Sequence, residues 1–133
     1  MKKTIPLLLA LFILSGCAAP AAASASYRQV SMGEAVDIME KESGYIILDV
    51  RTAEEFAERH IPGALNIPNE SIGTEEISAL PDKGQLILVY CRSGNRSKQA
   101  SEKLVALGYT NVVEFGGIID WTGETATGTG DVS

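Results

Sequence analysis

The stretch QLILVYCRSGNRSKQA, residues 85–100, decides the fold. Its first half, through Tyr90, is a continuous apolar run, the pattern of a strand buried on both faces of a parallel sheet. A cysteine closes the run, small and polar residues with two arginines follow, and from Ser97 the apolar positions Ala100, Leu104 and Leu107 recur at helical spacing up to the stop at Gly108. The reading is therefore strand, short loop, helix, with the loop placed where a parallel sheet presents its ligand site, beyond the carboxyl end of a strand.

Working outward, strand-length apolar runs alternate with helical segments. Tyr27–Val30 reads as a short strand. Ser31-Met32-Gly33-Glu34 is a capping box, with Met32, Ala35, Val36 and Met39 on one helical face and Gly44 beyond. Tyr45–Val50 is a second buried strand, and Thr52-Ala53-Glu54-Glu55 caps a short helix that buries Phe56 and stops before Ile61-Pro62-Gly63. Ala64–Ile67 reads as a third strand, Ser71–Leu80 as a weak helix and Val112–Phe115 as a fifth strand ahead of a helical turn at Ile118–Trp121. This alternation predicts an α/β domain over residues 27–122: a five-stranded, mainly parallel sheet with helices on both faces. Residues 123–133 lack large apolar side chains except Val132 and are expected to fray.

The chain has 133 residues, 45% of them hydrophobic, enough for one core. Residues 1–17, MKKTIPLLLALFILSGC, form an export signal with a positive start and an apolar stretch too short to span a membrane. Leu14-Ser15-Gly16-Cys17 resembles the lipobox of bacterial lipoproteins, which implies removal of residues 1–16 and lipidation of Cys17. The alternative is an ordinary secretory signal cut near Ala23 or Ala25. Residues 17–26 would then tether the domain to a cell or outer membrane, facing away from the cytoplasm. Without Lys2 and Lys3 the chain keeps nine basic and seventeen acidic residues, a net charge of −8 that argues against nucleic acid as a partner. With Cys17 lipidated, Cys91 has no internal disulfide partner, and an unpaired thiol outside the cytoplasm needs a use.

That use is suggested by the loop Arg92-Ser93-Gly94-Asn95-Arg96 and the helix start at Ser97. Gly94 and Asn95 can take positive φ, so consecutive amides can curl into a nest aimed at an anion, reinforced by the helix terminus. Such a nest favours the thiolate of Cys91 and would also hold an anionic substrate, with Arg92 and Arg96 adding charge. The plain alternative is a buried structural cysteine followed by an ordinary turn.

The loop CRSGNRS, residues 91–97, resembles the active-site loop of rhodanese-like sulfurtransferases. LDVRTAEEFAERHIPGALNIP, residues 48–68, and GGIIDW, residues 116–121, resemble that family's upstream and downstream signatures. The resemblance runs from about Val30 to Trp121. It implies that Cys91 takes a sulfane sulfur from a donor such as thiosulfate and passes it, through a persulfide, to cyanide or a thiol. Arg92, Ser93, Gly94, Asn95, Arg96 and Ser97 would bind the substrate and cradle the persulfide. No cofactor is implied, and no His/Cys cluster points to a metal. Arg59-His60 stands where the family often has Gly-His, a departure confined to a local turn.

Other polar residues read as structural: His60 as a hydrogen bonder, Asp49 and Arg51 as a pair at a strand end, Trp121 as packing, and Glu54, Glu55 and Glu58 as a solvated face. Three other classes compete. A cysteine phosphatase needs a wider loop than the four residues between Cys91 and Arg96. A thiol-disulfide oxidoreductase needs a second, resolving cysteine. A non-catalytic rhodanese-like binding module often lacks the cysteine that is present here.

Overall fold

The computed structural model describes residues 26–129. The signal segment, the lipidation site Cys17 and nearly all of the tether lie outside them. Along the chain run β1 (Arg28–Gln29), α1 (Met32–Lys41), β2 (Ile46–Asp49), α2 (Ala53–Glu58), β3 (Leu65–Asn66), β4 (Ile87–Cys91), α3 (Asn95–Ala106) and β5 (Val112–Gly117), with single 3₁₀ turns at Asn69–Ser71 and Ile118–Asp120. The sheet order is β1-β5-β4-β2-β3 and every pairing is parallel.

β4 lies at the centre, and all five of its residues are buried. Side chains alternate across a strand, so β4 feeds two cores. Ile87, Val89 and Cys91 join Leu48, Val50 and Val112 against Ala100 and Leu104 of α3. Leu88 and Tyr90 join Ile47, Val113 and Phe115 against Ala35 of α1 and Ile118. Cys91 therefore shares its face of the sheet with the helix that follows it. The α2 start carries the full capping box, with the Thr52 hydroxyl accepting from Glu55 N–H at 3.2 Å and the Glu55 carboxylate accepting from Thr52 N–H at 3.4 Å.

Three expectations need correction. Residues 71–80 form no helix beyond the 3₁₀ turn. Gly73 and the β-branched Ile72 and Thr74 disfavour one, and the segment instead pins buried Ile72 and Leu80 onto the α3-side core. The helix after Cys91 begins at Asn95, not Ser97: Gly94 alone takes positive φ, at 110°, and Asn95 is already helical. Finally, the first part of the segment expected to fray is paired. Ala126 and His60 exchange backbone hydrogen bonds, both 2.9 Å, and Gly128 N–H donates to the Ala57 carbonyl at 2.8 Å.

Candidate active site

The strand end and helix start bring Cys91, Gly94 and Ser97 together. Cys91 is 1% exposed, and Gly94 N–H donates to Sγ at 3.0 Å, so the turn's concave side faces the sulfur. Gly94 provides the left-handed residue that lets the chain double back within three residues and start α3. Sγ also lies 3.4 Å from Ser97 Oγ, which is buried in the first turn of α3. Arg92, Ser93 and Asn95 are exposed around this centre, and among the described residues Arg92 has no ion-pair partner.

β5 supplies the other wall. Its register with β4 shifts between Val89 and Cys91, and Cys91 pairs with Gly117. This irregularity, with Gly116 at φ 97°, presses Gly117 against the loop. A Cβ on Gly117 would stand 2.0 Å from the Arg92 carbonyl oxygen, so only glycine fits. Ile119 N–H donates to the same carbonyl at 3.3 Å.

Two charged residues that sequence reasoning left out belong to the site. Glu55, read as part of a solvated face, clamps Arg96 through two bonds, Nη1 to Oε1 at 2.6 Å and Nη2 to Oε2 at 3.0 Å. This bidentate pair ties the first turn of α3 to the capping box of α2. The hydrogen bond from Arg96 holds the Glu55 carboxyl far below its ordinary value of 4.5, at about 2. Arg96 is raised in turn, chiefly by its hydrogen bond to Glu55. The second is Glu114 on β5, 3% exposed, whose Oε1 accepts from Ser97 Oγ at 2.7 Å and from Gly116 N–H at 2.9 Å. Arg96 and Ser97 are remote in sequence from these glutamates, so the capping box marks Glu55 only as a helix cap and neither glutamate is marked as part of the site.

The residues read as structural are so placed. Asp49 and Arg51 pair at 2.6 Å in the core, Tyr90 Oη donates to Asp49 at 2.5 Å, and Ile61 N–H donates to Tyr90 Oη at 3.1 Å. Burial, together with the bond to Asp49, pushes the Tyr90 phenol upward. His60 Nδ1 lies 2.8 Å from the Phe56 carbonyl oxygen and its ring stacks on Phe56. Trp121 packs against the α1-side core.

A buried sulfur at the end of the central strand, an amide aimed at it and an arginine-closed turn together form a compact loop around a single cysteine. Comparison with known proteins agrees: residues 31–124 match the Rhodanese-like domain family, and the chain belongs to it. It is 41% identical over 73 residues to the thiosulfate sulfurtransferase PspE of Escherichia coli, covering 55% of this chain and 70% of that protein. It is 42% identical over 77 residues to a sulfurtransferase of Allochromatium vinosum, covering 57% and 70%. Among solved structures, a rhodanese with anions from E. coli aligns with a TM-score of 0.58 at 39% identity, covering 63% of this chain and 99% of that one. The enzyme class so defined is the rhodanese-type sulfurtransferase.

Proposed function

We propose that this protein moves a sulfane sulfur from a small anionic donor of the thiosulfate type to a thiophilic acceptor through a persulfide on Cys91. The observation that carries the reading is the Gly94 N–H held 3.0 Å from Sγ in a turn locked by the Arg96–Glu55 pair. The Cys91 thiolate attacks the outer sulfur of thiosulfate. A new S–S bond forms, the old one breaks, and sulfite leaves with the electron pair. Cyanide or a thiolate then takes the terminal sulfur, giving thiocyanate or a new persulfide and returning the Cys91 thiolate. Exposed Arg92, without an ion-pair partner among the described residues, meets the donor anion, and the turn amides and the α3 terminus receive the persulfide charge. The narrow turn favours one added sulfur atom over a tetrahedral phosphate.

The signal segment and Cys17 support a further part of the proposal: the domain works at a bacterial membrane, anchored by lipid on Cys17 and facing away from the cytoplasm. The test of the chemistry is thiocyanate production from thiosulfate and cyanide. Wild type is expected to turn over and Cys91→Ser to be inactive; equal rates for the two would overturn the reading. The test of the anchor is fractionation of cells expressing the full chain. Wild type should sediment with membranes and Cys17→Ala should not, whereas equal partitioning would refute lipid attachment at that residue.

A further inference from the structure

Glu114 is a buried carboxylate with no role in the sulfur-transfer steps above. It sits on β5 opposite Val89, on the same face of the sheet as Cys91, and is 3% exposed. Burying a carboxylate is costly unless it is bonded, and here the bonds come from Ser97 Oγ at 2.7 Å and Gly116 N–H at 2.9 Å. Ser97 links it to the nucleophile, because the same Oγ lies 3.4 Å from Cys91 Sγ.

The Ser97 hydroxyl has one proton and several acceptors nearby. Glu114 Oε1 is at 2.7 Å, the Gly94 carbonyl at 2.9 Å and the Gly116 carbonyl at 3.4 Å. The shortest of these, to a carboxylate, is the strongest and takes the proton. A lone pair of Oγ is then left for Sγ, so the resting sulfur faces an acceptor and donates its S–H. The three groups form a directed chain, S–H to O–H to carboxylate, closed off from water.

We propose that Glu114 is a positioning residue that receives the Cys91 proton through Ser97. The Sγ–H bond breaks as an Oγ–H bond forms, while the original Oγ–H bond breaks as an Oε1–H bond forms. Sulfur keeps its electron pair, nothing is oxidised, and Ser97 ends as it began except that its O–H now points at the thiolate. The net charge of the buried cluster stays at minus one. Moving a charge already present avoids the desolvation cost of creating a second anion in the core. This explains why a buried sulfur can ionise without solvent, and it rests on Cys91 being the nucleophile.

The surrounding charges are few. Arg96 on α3 faces the sulfur and is itself held by Glu55, with Glu70 beyond. On the Glu114 side stand Tyr27, ahead of β1, and Glu102 on α3; burial, then Glu102 and Glu114, raise the Tyr27 phenol. Asp49, Arg51 and Tyr90 neutralise one another in their own network.

The experiment is the pH dependence of Cys91 alkylation by iodoacetamide, a neutral reagent that needs no sulfur donor. Two groups sharing one proton titrate in two macroscopic steps, so wild type is expected to show two inflections separated by a plateau. Glu114→Gln keeps an acceptor for Ser97 and for Gly116 N–H but cannot take a proton. It is expected to show one inflection and, on the acidic side of neutrality, alkylation about tenfold slower or more. Ser97→Ala breaks the chain with Glu114 in place and is expected to lose the plateau as well. A single inflection in wild type, or superimposable wild-type and Glu114→Gln profiles, would overturn the proposal; the wild-type result stands even if a variant fails to fold. Because the probe is independent of thiosulfate, a protein that shows the two-step profile but never gains sulfur would refute the sulfur-transfer reading alone.

Discussion

Glu55 serves two elements with one carboxylate: it closes the α2 capping box and holds Arg96. Removing its charge should loosen both. Its folded-state value is depressed to about 2 from 4.5, so its contribution is complete above 4.5 and lost as pH falls toward 2. The pair is part exposed, with side chains 27% and 28% accessible, so solvent screening limits its worth. Glu55→Gln is expected to cost about 1 kcal/mol at neutral pH. Urea denaturation of both proteins should show that gap closing between pH 4.5 and 2; a gap independent of pH would contradict an ionic clamp. Tyr90 offers a contrast in the core, since its hydroxyl bridges Asp49 and Ile61 N–H. Tyr90→Phe leaves the amide without that acceptor and the carboxylate without that donor, a loss of about 1–3 kcal/mol by the same denaturation.

The connections between elements set the shape of the loop. Gly94, at φ 110°, strains any side chain through its backbone, and Gly117, against the Arg92 carbonyl, leaves no room for one. Gly94→Ala has space for its methyl group, with Gly116 Cα at 3.9 Å, but pays the left-handed penalty of about 1–2 kcal/mol. Gly117→Ala collides with backbone and should abolish thiocyanate production even in molecules that remain folded by circular dichroism. Full activity in Gly117→Ala would show that the loop adapts freely. The β4–loop–α3 unit was legible in the sequence because its signals are local: an apolar run, a glycine and a helical repeat within about one turn of each other. Its boundary moved from Ser97 to Asn95 because Asn95 and Arg96 have no apolar signature and join the helix through backbone geometry alone. In the stretch 71–80, Ile72, Ile77 and Leu80 mark core contacts rather than the helix repeat their spacing suggests.

Across the whole molecule, the parallel sheet with helices on both faces follows from the alternation of apolar runs, the strand order β1-β5-β4-β2-β3 does not, and the three motifs place Cys91 where the fold puts it. What the sequence leaves unreadable is long-range pairing between polar residues. Arg96 and Glu55 are 41 residues apart, and Ser97 and Glu114 are 17. A glutamate in a capped helix or on a strand looks alike whether it meets water or an active site, so composition could not separate Glu55 from Glu54. The pairing beyond Trp121 is equally silent in the sequence, because the hydrogen bonds of Ala126 and Gly128 are made by backbone groups that leave no trace in side-chain chemistry. Intact-mass analysis of the protein after incubation with thiosulfate measures the central claim most directly. Wild type should gain one sulfur atom, dithiothreitol should remove it, and Cys91→Ser should gain none; an unchanged wild-type mass, or the same gain in Cys91→Ser, would contradict the account.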